Sequence, residues 1–186
     1  VGESDIQYVR KWPMPDRVMA QMIRNLRAQQ PRAIGIDIYR DLPVEPGHQE
    51  LVEVFKSTPN VIGIEKVAGD AIAAPPVLKK LDRVAASDLV LDTDGKVRRS
   101  MILVGRNGVF REGLGAKPAL MYLEKEGIKL QVVDAKKKIY QLGRAVFYPL
   151  TGNEGVYNKG DTGGYQILLN YRGELERFPN ISLTDV

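Results

Sequence analysis

Ala33-Ile34-Gly35-Ile36-Asp37-Ile38-Tyr39 is an almost uninterrupted apolar run, and its reading decides the fold. Apolar residues at nearly every position, rather than at every second one, are what a strand buried on both faces requires in a helix-covered sheet. The residues before it support that placement. Pro15 and Asp16 read as a helix start, with proline at the first helical position and a carboxylate in the first turn. Val18, Met19, Met22, Ile23 and Leu26 then recur at helical spacing. Arg17, Gln21, Arg24 and Asn25 fill the opposite face, and Pro31 closes the helix. On the other side, Leu51, Val52, Val54 and Phe55 mark a second amphipathic helix that Pro59 stops, and Val61-Ile62-Gly63-Ile64-Glu65 is a second buried strand. Two strands joined through a helix make a right-handed crossover, so part of the sheet is predicted to be parallel.

The pattern then changes. Ala74-Pro75-Pro76 opens a short segment without periodicity. Val84 to Leu91 and Val97 to Gly105 read as two strands joined by Asp92-Thr93-Asp94-Gly95, an antiparallel hairpin. A helix follows from Pro118 through Leu120, Leu123 and Glu126, closed by Gly127. Short strands are predicted near 130–134, 139–142, 146–148 and 166–170. Thr151 to Gly164, rich in Gly, Asn and Asp, predicts a mobile surface loop. The expected architecture is one α/β domain over residues 1–186, with a mixed, largely helix-covered sheet and an antiparallel, hairpin-rich second half.

Bulk properties narrow the function. With 44% hydrophobic and 27% charged residues among 186, the chain has enough apolar surface to offset the ordering of a folded domain. The net charge of +4 is spread over 27 basic and 23 acidic residues. Its one compact basic run, Lys136-Lys137-Lys138, falls in a hairpin turn and reads as solvated, so no nucleic-acid partner is predicted. The absence of cysteine excludes thiolate catalysis, disulfides and cysteine-based metal sites. No apolar stretch approaches the ~20 residues that span a bilayer, and no signal peptide opens the chain, so any membrane anchor is expected outside this segment.

Leu89-Val90-Leu91-Asp92-Thr93-Asp94-Gly95, an apolar strand ending in Asp-x-Asp-Gly, resembles the first motif of haloacid-dehalogenase-type phosphatases. In those enzymes one aspartate attacks phosphorus and Mg²⁺ neutralises the phosphate. Here half the chain precedes the motif, Lys96 stands where a threonine is usual, and no later acidic pair completes a metal site; a tight turn is the simpler reading. Asp37, Asp41 and Glu45 follow the first buried strand, at the end where ligands gather in open α/β sheets. Asp37, Tyr39, Arg40 and Asp41 are therefore the candidate ligand-binding residues, with a structural acid paired to an arginine as the alternative for Asp37. Adjacent Arg98 and Arg99 point to opposite faces of their strand, and the inward one is expected to pair with a carboxylate such as Asp37 or Asp94. His48, the single histidine, sits beside Pro46-Gly47 at a helix start and reads as a capping or surface residue. The glycines between 152 and 164 match neither a Walker A loop nor a dinucleotide fingerprint. Trp12 is either a ligand-stacking aromatic or, more simply, a core or lid anchor. No catalytic residue, metal ligand or cofactor is predicted.

The order of the segments carries more than any one motif. Trp12-Pro13-Met14-Pro15-Asp16-Arg17 resembles the Trp-Pro-x-x-Arg entry of the second CHASE family (cyclase/histidine-kinase-associated sensing extracellular). Pro31-Arg32-Ala33-Ile34-Gly35-Ile36-Asp37-Ile38 is similar to its Pro-Arg-Ala-Ile-Gly-x-Asp strand. Asp92-Thr93-Asp94-Gly95-Lys96-Val97-Arg98-Arg99 is similar to its Asp-x-Asp-Gly-x-x-Arg-Arg hairpin. Leu168-Leu169-Asn170-Tyr171-Arg172-Gly173 resembles its Ile-Asn-Tyr-Arg-Gly strand and turn, and Phe178 to Val186 its Phe-Pro-x-x-Ser-x-x-Asp-Val segment. The resemblance makes Trp12, Asp92, Asp94, Gly95, Arg98 and Arg99 the structural motif residues. It implies an extracytoplasmic, periplasmic sensor in an integral membrane protein. Membrane helices would lie on either side, with a cytoplasmic output module: a nucleotide cyclase, a histidine or Ser/Thr kinase, or a diguanylate cyclase. The expected partners are a small-molecule or physical stimulus, those helices, the output module and a second copy of the chain. It further implies that the segment is incomplete at both ends: Val1-Gly2-Glu3 is expected to start inside the family's first strand, and a Gly-Lys-Ile-Val-Leu-Ile-Gly strand that usually follows is missing, which would leave an exposed sheet edge. Two other readings stand beside it: a Mg²⁺-dependent phosphatase using Asp92 and Asp94, and a structural or dimerising module without a ligand.

Overall fold

A computed structural model describes residues 2–106, 108–155, 157–174 and 177–186. Its first half is the helix-covered parallel sheet that the apolar runs demand. Strands β1 (Ile34–Gly35), β2 (Val61–Glu65) and β3 (Val84–Ala86) lie side by side in that order, all parallel, with Ile34 opposite Val61 and Gly63 opposite Val84. The first four residues of β2 and all of β3 are buried, as expected for strands covered on both faces. One face takes α2 (Asp16–Ala28), α3 (His48–Ser57) and α4 (Pro76–Lys80). Met19, Ala20 and Ile23 of α2 meet Leu51, Val54 and Phe55 of α3, Leu78 of α4 and the strand residues Ile34, Val61 and Val84 in one apolar core. On the other face Gly35 lies under Leu114 and under Pro118 of α5 (Ala116–Glu124).

The apolar run at 33–39 forms a shorter strand than its length implies, since only Ile34 and Gly35 are in β1 and Ile36 adds one further bond to the Ile62 carbonyl. The chain then turns away toward α2. The opening residues also depart from expectation: Glu3–Val9 is a helix, α1, not the start of a strand, and Asp5 is buried there, taking the Gly2 N–H at 2.7 Å.

The second half is antiparallel. Strands β4 (Val90–Leu91), β6 (Val109–Glu112) and β10 (Tyr165–Leu168) all pair with the long β5 (Val97–Arg106), β4 and β6 along one edge and β10 along the other. The expected single strand from Val84 to Leu91 is therefore two. β3 belongs to the parallel sheet and β4 to the antiparallel one, and Asp88 between them accepts the Val67 and Ala68 N–H groups at 2.9 and 2.6 Å. A parallel bridge between Ala86 and Gly113 joins the two sheets. Strands β7 (Leu130–Asp134), β8 (Ile139–Leu142) and β9 (Ala145–Phe147) form a separate meander, linked to β10 by an edge-to-face contact of Tyr140 on Tyr165 with ring centroids 5.3 Å apart. Lys136 to Lys138 occupy its first turn, as the sequence predicts. The chain is thus a mixed α/β domain with three sheets among the described residues.

Candidate functional site

The Asp92–Gly95 stretch is a turn. The Gly95 N–H reaches the Asp92 carbonyl at 2.8 Å, and Gly95 has φ of 74°, the left-handed conformation that glycine adopts without cost. This turn delivers Asp92 and Asp94 to the two arginines two and three residues beyond Lys96. Arg98, on the outer face, bonds Asp94 through two nitrogens at 2.9 and 2.7 Å and Asp92 Oδ2 at 2.9 Å. Arg99, on the inner face and only 5% exposed, bonds Asp92 Oδ1 at 2.8 Å. One arginine does lean inward and one does pair with Asp94, but they are different residues: the buried one takes Asp92. Asp37 is exposed and makes no ion pair among the described residues, so the expectation of a structural partnership for it is corrected. The two aspartates are thereby occupied by guanidinium groups, an arrangement that does not fit a nucleophile and acid/base pair presented to Mg²⁺.

Two further side chains close this cluster into a clasp. Tyr157 donates its hydroxyl to Asp92 Oδ2 at 2.9 Å, and its ring lies 4.9 Å from the Arg99 guanidinium. Gln166 accepts from Arg99 at 3.0 Å and donates to the Asp161 and Gly163 carbonyls. The 151–164 loop is thus tied to the β4–β5 hairpin and to β10 by polar bonds, where the sequence predicts mobility. Hydrogen bonding by Arg98 draws the Asp92 pKa down, with Arg99 and Tyr157 adding to it against the opposing effect of burial. The same arginine holds Asp94 at about 2, below an ordinary 3.8. Glu154, in the loop, is lowered from 4.5 to about 2, first by the Thr151 N–H. Carboxylates whose folded pKa lies below the unfolded value contribute stability above the unfolded value and lose it as pH falls through the folded one. Thermal stability is therefore expected to fall between about pH 4.5 and 2, and Glu154→Gln with Asp94→Asn to flatten that decline; parallel curves in melting scans would refute the assignment.

A second polar cluster sits at the mouth of the parallel sheet. Asp16, fully buried at the start of α2, lies 3.3 Å from Arg40 and 2.8 Å from His48 Nδ1, and accepts the Val44 N–H. Arg40 is 4% exposed, and none of its three nitrogens makes a hydrogen bond among the described residues. Burial pushes its pKa down, against the opposing pull of Asp16 and Asp41. Arg40 is thus a buried counter-ion of Asp16, and His48 bonds the same carboxylate, which is more than a surface cap does. Tyr39 is exposed and shares a 2.7 Å hydrogen bond with Ser87, while Asp41 is half-buried. Trp12 is 57% exposed, not a core anchor. No hydrogen bond or ion pair among the described residues joins the 39–46 loop to the 151–164 loop, so the candidate residues separate into two places.

Sequence reasoning missed Tyr157, Gln166, Asp16 and His48 as members of these clusters. A signal existed for one of them: Tyr157 is the only aromatic in the polar stretch 151–164. Beside the clasp lies an open groove of about 700 Å³, walled by Val97, Arg98, Tyr157, Leu168, Leu169 and Tyr171. It forms where the Asp92–Arg99 and Leu168–Gly173 segments meet: the Leu169 N–H donates to the Arg98 carbonyl at 2.9 Å, and the Tyr171 hydroxyl to the Val97 carbonyl. Among the described residues no three or more His, Asp or Glu side chains are grouped to hold a metal ion.

The model of the CHASE2 domain matches residues 1–186, the whole chain. The chain belongs to the CHASE2 family. CHASE2 domains are extracellular sensory domains of signalling proteins. Neither curated proteins nor solved structures yield a match. In this CHASE2 domain the Asp-x-Asp-Gly-x-x-Arg-Arg segment builds the clasp and the Leu-Leu-Asn-Tyr-Arg-Gly segment builds the groove wall. The Pro-Arg-Ala-Ile-Gly segment supplies β1.

Proposed function

We propose that this CHASE2 domain is the extracytoplasmic input of a membrane-anchored receptor. In this reading it passes a stimulus to a cytoplasmic nucleotide cyclase, histidine or Ser/Thr kinase, or diguanylate cyclase. No helix among the described residues is long and apolar enough to cross a membrane. The observation that supports a switching role is the clasp. A loop held by Tyr157, Asp161 and Gln166 through polar bonds, rather than by an apolar core, has a released arrangement close to it in free energy. A stimulus shifts such a balance only by the difference in its affinity for the two arrangements. The stimulus acts at the 152–164 loop, or at the 39–46 loop, where Tyr39 and Asp41 lie.

The test is made in the full-length receptor. Tyr157→Phe, which removes the bond to Asp92 and keeps the ring, is expected to change the basal activity of the output module severalfold. Replacing Leu42 and Pro43 in the other loop reports on the second place. Output indistinguishable from wild type in both variants would exclude the two loops as the point of input.

A further inference from the structure

The net charge of the chain is concentrated in one element. Of its 27 basic and 23 acidic residues, five and one lie between 129 and 148: Lys129, Lys136, Lys137, Lys138 and Arg144 against Asp134. The rest of the chain is balanced, so the net charge of +4 is that of the β7–β9 meander. Two of its cations stand apart, since Lys129 pairs with Glu124 at 3.1 Å and Arg144 lies in the β8–β9 turn at the opposite end. The three lysines fill the β7–β8 turn, exposed and without an ion pair among the described residues. Asp134, beside them, accepts the Lys137 N–H at 3.0 Å.

The same tip is apolar. The first four residues of β7 are all exposed, which leaves Leu-Gln-Val-Val open to water on both faces of the strand. Val132, Val133 and Tyr148 are each more than half exposed. Tyr148 directly follows Phe147, whose pairing with Tyr140 puts it at the lysine end of the meander. Cations among apolar side chains that are spread over both faces, not gathered into one concave patch, fit a partner that is negative, apolar beneath and without fixed shape. An anionic bilayer has those properties: its headgroups attract lysine, and tyrosine and aliphatic side chains settle at its interface. An isologous contact with a second copy would instead set lysines against lysines.

We propose that the meander tip docks on the anionic surface of a phospholipid bilayer, with Lys136, Lys137 and Lys138 on the headgroups and Val132, Val133 and Tyr148 in the interface. This rests on the receptor reading, which puts a bilayer beside the domain. The two fail separately, because vesicle binding is measured on this chain, and membrane topology and output on the whole receptor.

Co-flotation of the 186-residue chain with vesicles of phosphatidylglycerol and phosphatidylcholine in equal parts tests it. The chain is expected to float with these vesicles and not with phosphatidylcholine alone, and added salt to release it. Lys136→Gln/Lys137→Gln/Lys138→Gln is expected to weaken binding about 100-fold, roughly fivefold for each lysine. Val133→Ser/Tyr148→Ser, which leaves the charge untouched, is expected to weaken it about tenfold. Circular dichroism confirms that both variants fold. The proposal is overturned by no flotation with anionic vesicles, by equal flotation with phosphatidylcholine, or by unchanged binding in the lysine variant. Binding to polyglutamate as tight as to the vesicles, with the serine variant without effect on either, overturns it in favour of an acidic polypeptide partner.

Discussion

Arg99→Met is expected to lower the melting temperature of this CHASE2 domain by about 10 °C, and Arg98→Met to leave it nearly unchanged. The two residues are neighbours and share Asp92, so composition offers no reason for the difference. Burial does. Arg99 has a side chain 6% exposed and donates to Asp92 Oδ1, to Gln166 Oε1 and to the Asp161 carbonyl. Removing it strips both donors from Asp92 Oδ1, the Nε at 3.2 Å and the terminal nitrogen at 2.8 Å, leaves Gln166 Oε1 unmatched, and leaves the Asp161 carbonyl with the Gln166 amide alone. Breaking a buried pair in this way costs about 3 kcal/mol, which in a domain of this size corresponds to the shift named. Arg98 has a side chain 41% exposed, and its bonds to Asp92 and Asp94 compete with water and are screened by salt. Equal shifts for the two variants, measured by thermal unfolding in the same buffer, would show that the clasp is not the buried element described here.

What was legible in the sequence was whatever depends on local pattern. β2 occupies Val61 to Glu65 as read, because a run buried on both faces has no polar interruption to blur its ends. α2 was equally clear, since its apolar positions recur with the helical period and Pro31 ends the pattern. The Arg98–Asp94 pair is four residues apart and follows from the hairpin itself. Long-range partnerships were not legible. Tyr157 and Gln166 reach Asp92 and Arg99 across 65 and 67 residues, and nothing in the periodicity of the 151–164 stretch distinguishes a clasped loop from a free one. α1 was hidden for the same reason: seven residues carry too little pattern, and Asp5 is tied to the Thr184 N–H from the far end of the chain. The division of Val84 to Leu91 between two sheets rests on Asp88 capturing two distant N–H groups, a choice that propensity does not encode.

The second cluster leads to the other large effect. Asp16→Ala is expected to cost about 4 kcal/mol, more than Arg40→Met, although the two side chains face each other at 3.3 Å. Their surroundings are unequal. Asp16 without Arg40 keeps His48 at 2.8 Å and the Val44 N–H at 3.3 Å. Arg40 without Asp16 keeps no ion-pair partner among the described residues, in a place where its guanidinium is 4% exposed and already makes no hydrogen bond. An uncompensated buried cation is the larger penalty, and it disappears when the cation does. The double variant Asp16→Ala/Arg40→Met is therefore expected to be more stable than Asp16→Ala alone, a coupling that a double-mutant cycle in urea measures directly. Additive losses would mean that the pair is not coupled. The cycle also has a local reading. Asp16 fastens the 39–46 loop to α2 through its side chain, while its own N–H bonds the Val44 carbonyl at 2.8 Å and persists in every variant. Proteolytic nicking between residues 41 and 46 should then rise in Asp16→Ala and subside in the double variant, because the buried charge, not the lost tether alone, is what drives the loop open.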